Sequence, residues 1–390
     1  MVKEKIIHFK LKYYNFRLIF FVLAIVLLGI IIIGSAAPGE GYQKKQLIGL
    51  VLGIIAMFVL SIIDYRALLK LHWIEYALCV IILVAVLIPG VGKEVNGATR
   101  WIPIGSSGIS IQPSEFAKIL LVLFWAWLYG RNPKNVSSWK NFFLTIIFTV
   151  LPIFLISSEP DLSTTILVSV VFVSVLFIAG FSYKKFGIIL AVLVPISVGL
   201  IIYVQSPNQK LLEPYQLKRV LSFINPDEYD DLKYQQNNSV MAIGSGELYG
   251  KGLYNDNSDS VKNGNYIAEP QTDFIFAIIG EEMGFVGCCI IIGLLLLIVI
   301  ECIITGTRAL DMSGRIICFG VAAIITFQTF INIGVVTDLL PNTGIPLPFV
   351  SYGLSSLVSL FAGIGLVLSV RITKKISLEE ASNEHSFNRA

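Results

Sequence analysis

The sequence carries little charge for its length. Only 14% of its 390 residues are Asp, Glu, Lys or Arg, whereas 55% are hydrophobic. A soluble domain has about 25% charged and about 45–50% apolar residues, so this composition excludes an ordinary soluble protein. The apolar content also excludes an intrinsically disordered chain. The formal net charge of +3 is too small to indicate a nucleic-acid partner. We therefore expect the chain to lie in a lipid bilayer.

Histidine and cysteine are also scarce. The three histidines lie in the terminal segments or in a short charged loop, and the five cysteines lie in apolar runs without CxxC spacing. A Ser-His-Asp triad, a histidine proton shuttle and a histidine-rich zinc site therefore lack their residues. The cysteines are interpreted as small buried hydrophobic side chains. Acid–base chemistry must use Asp, Glu, Lys or Tyr.

Long apolar runs dominate the rest of the sequence. A membrane-spanning helix needs roughly 20 apolar residues, and the sequence contains ten such windows: 17–34, 46–63, 73–90, 113–129, 141–157, 162–180, 186–204, 273–304, 314–337 and 351–371. The first resembles a secretory signal, but its apolar core exceeds the usual length of about 7–15 residues. We predict an all-α polytopic membrane protein with ten transmembrane helices, forming a single membrane domain over residues 1–390.

The distribution of Lys and Arg predicts the orientation. Basic residues concentrate in the terminal segments and in every second loop, whereas the short loops between them hold only Lys44, Lys45, Lys93 and Arg100. Basic loops stay in the cytoplasm, so both termini, including the short tail 372–390, are expected to be cytoplasmic. The long polar segment 205–272 is then a large extracellular loop between the seventh and eighth helices, in which we expect short amphipathic helices.

A few charged side chains enter the apolar windows, where they usually face a cavity or a partner. Glu115 and Lys118 begin the fourth window and lie three residues apart, on one helix face. They either neutralise each other near the interface, or Lys118 presents its ammonium group to an anionic substrate. Asp161, at the start of the sixth window, either caps that helix or belongs to a functional site.

Another acidic group stands at the outer mouth of the eighth window. Asp273 is placed where the helix dipole favours its ionised form, and it is either an N-cap or a functional carboxylate. Glu281 would lie roughly 12 Å further along a helix and about 80° round it, so we expect it to share a cavity with Asp273. Segment 342–353 is a predicted wall of the site because three prolines between 341 and 348 exclude a regular helix.

These segments resemble the SEDS family (shape, elongation, division and sporulation), the bacterial polytopic membrane proteins related to RodA and FtsW. The resemblance covers nearly the whole chain, and its motifs follow the order of the family. The matching segments are 96–102 (NGATRWI), 112–118 (QPSEFAK), 159–164 (EPDLST), 242–246 (AIGSG), 272–276 (TDFIF), 280–282 (GEE), 342–344 (NTG) and 351–353 (SYG).

The resemblance implies a peptidoglycan glycosyltransferase that polymerises lipid II outside the bacterial cytoplasmic membrane. It also implies a class B penicillin-binding protein as the transpeptidase partner, together with other membrane proteins of the elongation complex. The short tails and segment 221–226 favour the elongation branch, although the division and sporulation branches share most motifs. The chain departs from the family at Gln271, where His is usual, which puts a His-assisted proton relay in doubt. It also departs at Ser163 and Leu354, where Gly is usual.

The resemblance also assigns roles to residues. Asp273, in the Thr-Asp-Phe motif, corresponds to the proposed catalytic carboxylate. We expect Asp273 to act as the base for the attacking sugar hydroxyl or, alternatively, to hold a divalent cation, magnesium or manganese, against the pyrophosphate. No cofactor is otherwise predicted. The candidate substrate-binding residues are Arg100, Trp101, Glu115, Lys118, Asp161, Glu281 and Ser351.

Two of these candidates are expected to supply charge to the leaving pyrophosphate. They are Arg100 and Lys118, with Arg219 as a weaker third. Trp101 is either an interfacial anchor or a surface on which a sugar stacks. The competing functions are a lipid II flippase and a noncatalytic scaffold for the transpeptidase. The absence of an internal repeat and the clustering of acids toward the outer mouth argue against a transporter.

Overall fold

A computed structural model describes residues 11–95, 98–105, 109–206, 209, 217, 221–222, 230–255, 260, 264 and 266–387. The predictions that concern 96–97, Arg219 and residues 223–226 of segment 221–226 lie outside the described residues.

The described part of the chain is built mainly from α-helices. Their bounds are α1 Phe16–Ala36, α2 Tyr42–Ile62, α3 Tyr65–Lys70, α4 His72–Leu87, α5 Pro113–Gly130, α6 Trp139–Ser158, α7 Leu162–Ile178, α8 Tyr183–Val204, α9 Asp230–Ser245, α10 Ile275–Thr307, α11 Met312–Val336 and α12 Leu354–Phe387. Short 3-10 helices cover Leu11–Tyr13 and Pro133–Asn135.

Each of the ten apolar windows lies on one of these helices. Among the described residues, six helices are long and apolar enough to cross a membrane, namely α1, α2, α6, α10, α11 and the Leu354–Ser377 part of α12. Large apolar side chains are exposed along α2, α6, α8 and α10, as expected for surfaces that face lipid. The chain is therefore a multi-pass membrane protein, and the count of ten spans stays a prediction.

A small antiparallel sheet departs from the all-α prediction. Its strands pair in the order β1-β2-β3, with bounds β1 Lys93–Val95, β2 Ala98–Ile104 and β3 Ile109–Ile111. Trp101 on β2 lies opposite Lys93 on β1. Strands β1 and β3 have three residues each, and β2 (ATRWIPI) has no regular alternation of polar and apolar residues, which is why the sequence did not reveal the sheet. The sheet places Arg100 and Trp101 beside α4 and α5, which β2 contacts.

Helix α11 forms the centre of the described bundle. It contacts α5, α7, α10 and α12, while α12 packs along α2. Two amide side chains on α11, Gln328 and Asn332, are fully buried in this otherwise apolar core. Four cysteines are buried as predicted, but Cys289 is exposed. The central helix therefore carries hydrogen-bonding groups to the interior of the protein.

The predicted large loop contains a helix, as expected. Within segment 205–272, α9 packs against α10 and α11. Gln236 donates from Nε2 to the carbonyls of Val335 and Leu340, at 2.9 Å each. Lys233 forms an ion pair with Asp338 at 2.6 Å. These contacts fasten the described part of the loop to the end of α11.

Helix α10 is broken at Gly284, whose φ of 65° and ψ of −164° lie outside the helical region. Segment 247–252 fills the break. Its N–H groups donate to the carbonyls of 281–282 at 2.9 Å, and its carbonyls accept from the N–H groups of 285–286 at 2.9 and 3.1 Å. Backbone groups at membrane depth must be satisfied within the protein, so the inserted segment replaces the hydrogen bonds that the break removes.

Candidate active site

Two adjacent cavities lie between the sheet, the turn before α10 and the segment before α12. The first, the Asp273 cavity, has a volume of about 160 Å³. Its lining combines residues from several predicted motifs: Ala98, Arg100, Trp101, Gln112, Glu115, Thr164, Glu269, Thr272, Asp273, Gly344, Ile345, Pro346, Tyr352, Gly353 and Ser356. The fold thus brings Asp273, Arg100, Trp101 and Glu115 to one cavity.

The second cavity, here the Lys93 cavity, has a volume of about 350 Å³. It shares Trp101, Glu269, Thr272, Tyr352 and Gly353 with the Asp273 cavity. Its remaining lining residues are Tyr42, Lys45, Lys93, Ser110, Gln271 and Leu354. The rings of Tyr42 and Tyr352 contact each other, with centroids 4.7 Å apart. Two connected compartments therefore meet at Trp101 and Tyr352.

Arg100 reaches from β2 to the loop between α6 and α7. Its Nε donates to the carbonyl of Glu159 at 3.2 Å, and its Nη2 donates to the carbonyl of Pro160. Its Nη1 lies 4.0 Å from Oδ1 of Asp161. A guanidinium group has several donors, and these contacts use much of its capacity. Arg100 lines the Asp273 cavity and also holds the loop between α6 and α7 in place.

Asp161 caps helix α7, which is one of the two roles predicted for it. It is the N-cap of α7, and its Oδ1 accepts from the N–H of Thr164 at 3.1 Å. Its Oδ2 accepts from the Thr164 hydroxyl at 2.9 Å. Asp161 does not line either cavity. It lies 4.0 Å from Arg100, which lines the Asp273 cavity, and its substrate-binding role stays a prediction.

Glu159 is a buried carboxyl group beside Arg100. Its side chain is 0% exposed, and among the described groups neither carboxylate oxygen has a hydrogen-bond partner. Burial, followed by the neighbouring charge of Asp161, raises its pKa from 4.5 to about 9 against the opposing effect of Arg100. Glu159 is therefore protonated at neutral pH and contributes no charge to the loop.

Lys118 and Glu115 neutralise each other. Lys118 Nζ lies 2.9 Å from Oε1 of Glu115, and both side chains are almost fully buried. Lys118 also donates to Oε1 of Gln328 at 3.1 Å. Glu115 lines the Asp273 cavity but Lys118 does not. The self-neutralising interpretation is therefore correct, and the alternative, in which Lys118 presents its charge to a substrate, does not fit this geometry.

Asp273 lies in the turn that precedes α10. The N-cap position of α10 is Phe274, whose side chain makes no capping hydrogen bond, so Asp273 lies one residue before the N-cap. The Asp273 carbonyl accepts from Nδ2 of Asn332 at 2.8 Å. Gln271, two residues earlier, lines the Lys93 cavity. The carboxylate of Asp273 therefore belongs to a turn that α11 holds in place.

The proline-containing segment forms a wall of the site, as predicted. Ile345 and Pro346 line the Asp273 cavity, and Gln328 donates to the Pro346 carbonyl at 2.9 Å. Ser351 does not line either cavity. Its hydroxyl donates to the Thr272 carbonyl at 2.6 Å and accepts from the Leu347 N–H at 2.7 Å. Ser351 thus positions the turn next to Asp273, and its predicted contact with substrate is not supported.

Glu281 does not share a cavity with Asp273. Its Oε1 lies 2.8 Å from Nζ of Lys251 in the segment that fills the break of α10, and it lines neither described cavity. The predicted position of Glu281 assumes one helix over residues 273–281, whereas α10 begins at Ile275. The side chain of Glu281 therefore supports the broken helix.

Several residues at this site were missed in the sequence. Lys45 and Lys93 are only loop charges in the sequence, and no pattern distinguishes Glu269. All three line the cavities. The amides of Gln328 and Asn332 hold the walls. A buried amide in an apolar helix is a usable sequence signal because it needs a hydrogen-bond partner. Among the described residues, no group of three or more His, Cys, Asp or Glu side chains is arranged to hold a metal ion.

Comparison with known proteins gives a match over almost the whole chain. Residues 15–376 match the model of the FtsW/RodA/SpoVE family, described as cell cycle proteins. The chain is 38% identical over 333 residues to the stage V sporulation protein E of Bacillus subtilis, which covers 84% of this chain and 86% of that protein. It is 34% identical over 357 residues to the peptidoglycan glycosyltransferase MrdB of Escherichia coli K12, covering 91% and 92% of the two chains.

A solved structure has the same fold. It is described as "Structural coordination of polymerization and crosslinking by a peptidoglycan synthase complex". The match has a TM-score of 0.77 at 32% identity and covers 93% of this chain and 98% of that chain.

Proposed function

Because the chain belongs to the FtsW/RodA/SpoVE family, we propose that it is a peptidoglycan glycosyltransferase that polymerises lipid II. The chain matches relatives that are named peptidoglycan glycosyltransferases, and these matches cover almost the full length of those proteins. The proposed location is the outer face of a bacterial cytoplasmic membrane, in agreement with the multi-pass fold.

The observation that supports this function best is the lining of the Asp273 cavity. Asp273, Arg100 and Trp101, which carry a carboxylate, a guanidinium group and an indole ring, line one cavity. Glycosyl transfer between lipid-linked sugars needs a base, positive charge near the leaving group and a surface for sugar rings. The cavity supplies each of these groups at the mouth of the bundle.

In the proposed reaction, Asp273 acts as the general base. A sugar hydroxyl of the acceptor attacks the anomeric carbon of the donor, and the hydroxyl proton passes to the carboxylate of Asp273. The bond between that carbon and the pyrophosphate oxygen breaks, and undecaprenyl pyrophosphate leaves with the electron pair. The new glycosidic bond extends the glycan strand by one disaccharide.

A divalent cation also fits the carboxylates of the Asp273 cavity. Magnesium is usually bound in proteins through about one or two carboxylates together with substrate phosphates. Asp273 and Glu269 line the same cavity and would hold such an ion, which would neutralise charge on the pyrophosphate. This cation-binding role is the alternative to the general-base role of Asp273.

The proposed partner is a class B penicillin-binding protein. The solved relative described as part of a complex for polymerisation and crosslinking supports this pairing. We place the chain in the elongation branch, with other membrane proteins of that complex. A sporulation protein is among its relatives, so localisation of a fluorescent fusion to the sidewall, as opposed to the septum, is the deciding observation.

The test of the activity uses the purified protein with its transpeptidase partner and lipid II. Asp273→Asn should lower polymerisation by about 10²–10⁴-fold, the usual contribution of a general base. Glu94→Gln is the matched control, because Glu94 is exposed on β1 and lines neither cavity. Full polymerisation by the Asp273 variant would show that the assignment is wrong.

One observation favours a lipid II flippase as a second candidate. The break of α10 at Gly284 is a feature that transporters often show near mid-membrane. In vesicles that contain lipid II on one side, translocation without polymer would support the flippase. Polymer formation that depends on Asp273 would support the transferase.

A further inference from the structure

The positive charges predicted for the leaving pyrophosphate are largely engaged inside the protein. Arg100 binds the carbonyls of residues 159–160 and lies 4.0 Å from Asp161. Lys118 is buried between Glu115 and Gln328. A pyrophosphate group carries several negative charges, so the proposed reaction needs further cations close to the reacting carbon.

The Lys93 cavity contains two such cations. Lys45 and Lys93 both line it, and within the described part of the chain neither has a carboxylate oxygen within 4.0 Å. Glu269 is the carboxylate among its lining residues, and Glu40, which precedes α2 and hydrogen-bonds to Tyr42, lies beside it. The lining itself therefore carries two positive charges and one negative charge. Its volume of about 350 Å³ falls within the range of about 300–1,000 Å³ for small-molecule sites.

The surroundings of Lys45 add to this positive charge. It lies in the first turn of α2, which has no acidic residue in that turn and no side-chain cap on its N-terminus. A helix N-terminus carries a partial positive charge, so a lysine there is placed unfavourably unless an anion lies nearby. The second cation, Lys93, is fixed on β1 opposite Trp101. Two independent elements therefore direct positive charge into one cavity.

We propose that the Lys93 cavity binds the pyrophosphate group of the polyprenyl pyrophosphate donor, with Lys45 and Lys93 as its ligands. This inference rests on the proposed function and divides the site into two compartments. The sugar attached to the pyrophosphate reaches the shared wall at Trp101 and Tyr352. The acceptor occupies the Asp273 cavity.

This arrangement accounts for the reaction without moving either substrate. The acceptor hydroxyl gives its proton to Asp273 and attacks the anomeric carbon at the shared wall. The bond from that carbon to the pyrophosphate oxygen breaks, and the electron pair stays on the pyrophosphate, where Lys45 and Lys93 stabilise the charge. The leaving group is then held in the compartment that Asp273 does not line.

The test measures binding of undecaprenyl pyrophosphate to the full-length protein in phosphatidylcholine nanodiscs. Lys45→Gln and Lys93→Gln should each weaken binding by about tenfold, the effect of one charge-assisted contact. Lys44→Gln is the matched control, since Lys44 neighbours Lys45 on the same turn but is exposed and lines neither cavity. It should bind as the wild type does. Lys45→Arg and Lys93→Arg should keep most of the affinity, which separates loss of charge from misfolding.

Competing ligands identify what the lysines recognise. Inorganic pyrophosphate should displace the lipid from the wild type, and phosphatidylglycerol should not. Equal binding by the wild type and both glutamine variants would overturn the proposal. An equal loss of phosphatidylglycerol binding would also overturn it, because it would indicate a general anionic surface.

Failure of the pyrophosphate site can be distinguished from failure of the proposed transferase activity. Measured without divalent cations, binding of undecaprenyl pyrophosphate should be the same for Asp273→Asn and the wild type, whereas Asp273→Asn loses polymerisation. Lysine-dependent binding in a protein that never polymerises would support the pyrophosphate site and contradict the transferase. Polymerisation with binding independent of both lysines would contradict the site alone.

Discussion

The side chain of Asn332 holds the backbone of Asp273. Its Nδ2 donates to the Asp273 carbonyl at 2.8 Å and to the Ile345 carbonyl at 2.7 Å. One buried amide on the central helix α11 thereby joins the turn before α10 to the proline-containing wall. The position of the carboxylate proposed for catalysis depends on a residue far away in the chain.

Asn332→Leu should disturb both the fold and the reaction. It removes two buried hydrogen bonds and leaves two carbonyls without this donor, which costs about 1–3 kcal/mol per buried group. We expect a lower unfolding temperature in detergent and polymerisation reduced more than tenfold. Thr326→Val is the control, because the exposed Thr326 hydroxyl bonds only to Ala322 of its own helix. Normal polymerisation by Asn332→Leu would show that the turn holds its position without this amide.

The buried pair of Glu115 and Lys118 should show strong coupling. Removal of one partner leaves a buried charge uncompensated, so Glu115→Gln and Lys118→Met should each cost about 3–5 kcal/mol of stability. The double variant should recover most of that loss, because no isolated charge remains. A double-mutant cycle on the unfolding free energy measures the coupling. Additive losses would indicate that the two groups are solvated separately.

Glu159 predicts a specific dependence of stability on pH. Its pKa is raised to about 9 in the folded protein, from 4.5, so between these values the folded state binds a proton that the unfolded chain releases. Its contribution to stability is therefore fully present below pH 4.5 and is lost as the pH rises toward 9.

Glu159→Gln removes this titration. The variant should unfold at the same temperature as the wild type near pH 5 and at a higher temperature near pH 8. Thermal unfolding from pH 5 to pH 9 measures the difference, and Glu94→Gln, at an exposed carboxylate, should keep the slope of the wild type. Parallel curves for the wild type and Glu159→Gln would mean that the carboxyl is not buried in solution.

Gly284→Ala should destabilise the broken helix. The residue has a positive φ, and an added Cβ would lie 2.4 Å from the backbone nitrogen of Gly250. Such strain costs about 1–3 kcal/mol, and we expect a lower unfolding temperature. Gly293→Ala on the same helix is the matched control, because an added Cβ there meets nothing within 4 Å. It should gain about 0.5–1 kcal/mol from its helical preference. Similar effects of the two substitutions would argue against the break.

The sequence motifs contain many of the residues that line the Asp273 cavity. The roles of individual residues were harder to predict. Arg100, Trp101, Glu115 and Asp273 do meet there. Glu281 was placed wrongly because one helix was assumed to run through Asp273, and no local pattern marks where α10 begins or where it breaks. The short strands that carry Arg100 escaped detection for the same reason.

The membrane location, the positions of the apolar helices and the family could all be predicted from the amino-acid sequence. Those properties depend on runs and motifs of neighbouring residues. Which charges are neutralised and which line a cavity depends on the packing of the helices. Lys118 pairs with Gln328 on α11, and Glu281 pairs with Lys251 in the inserted segment. Lys45 and Lys93 line the same cavity. Each of these relationships joins distant segments of the chain. Such contacts depend on how the helices pack, which no local pattern records.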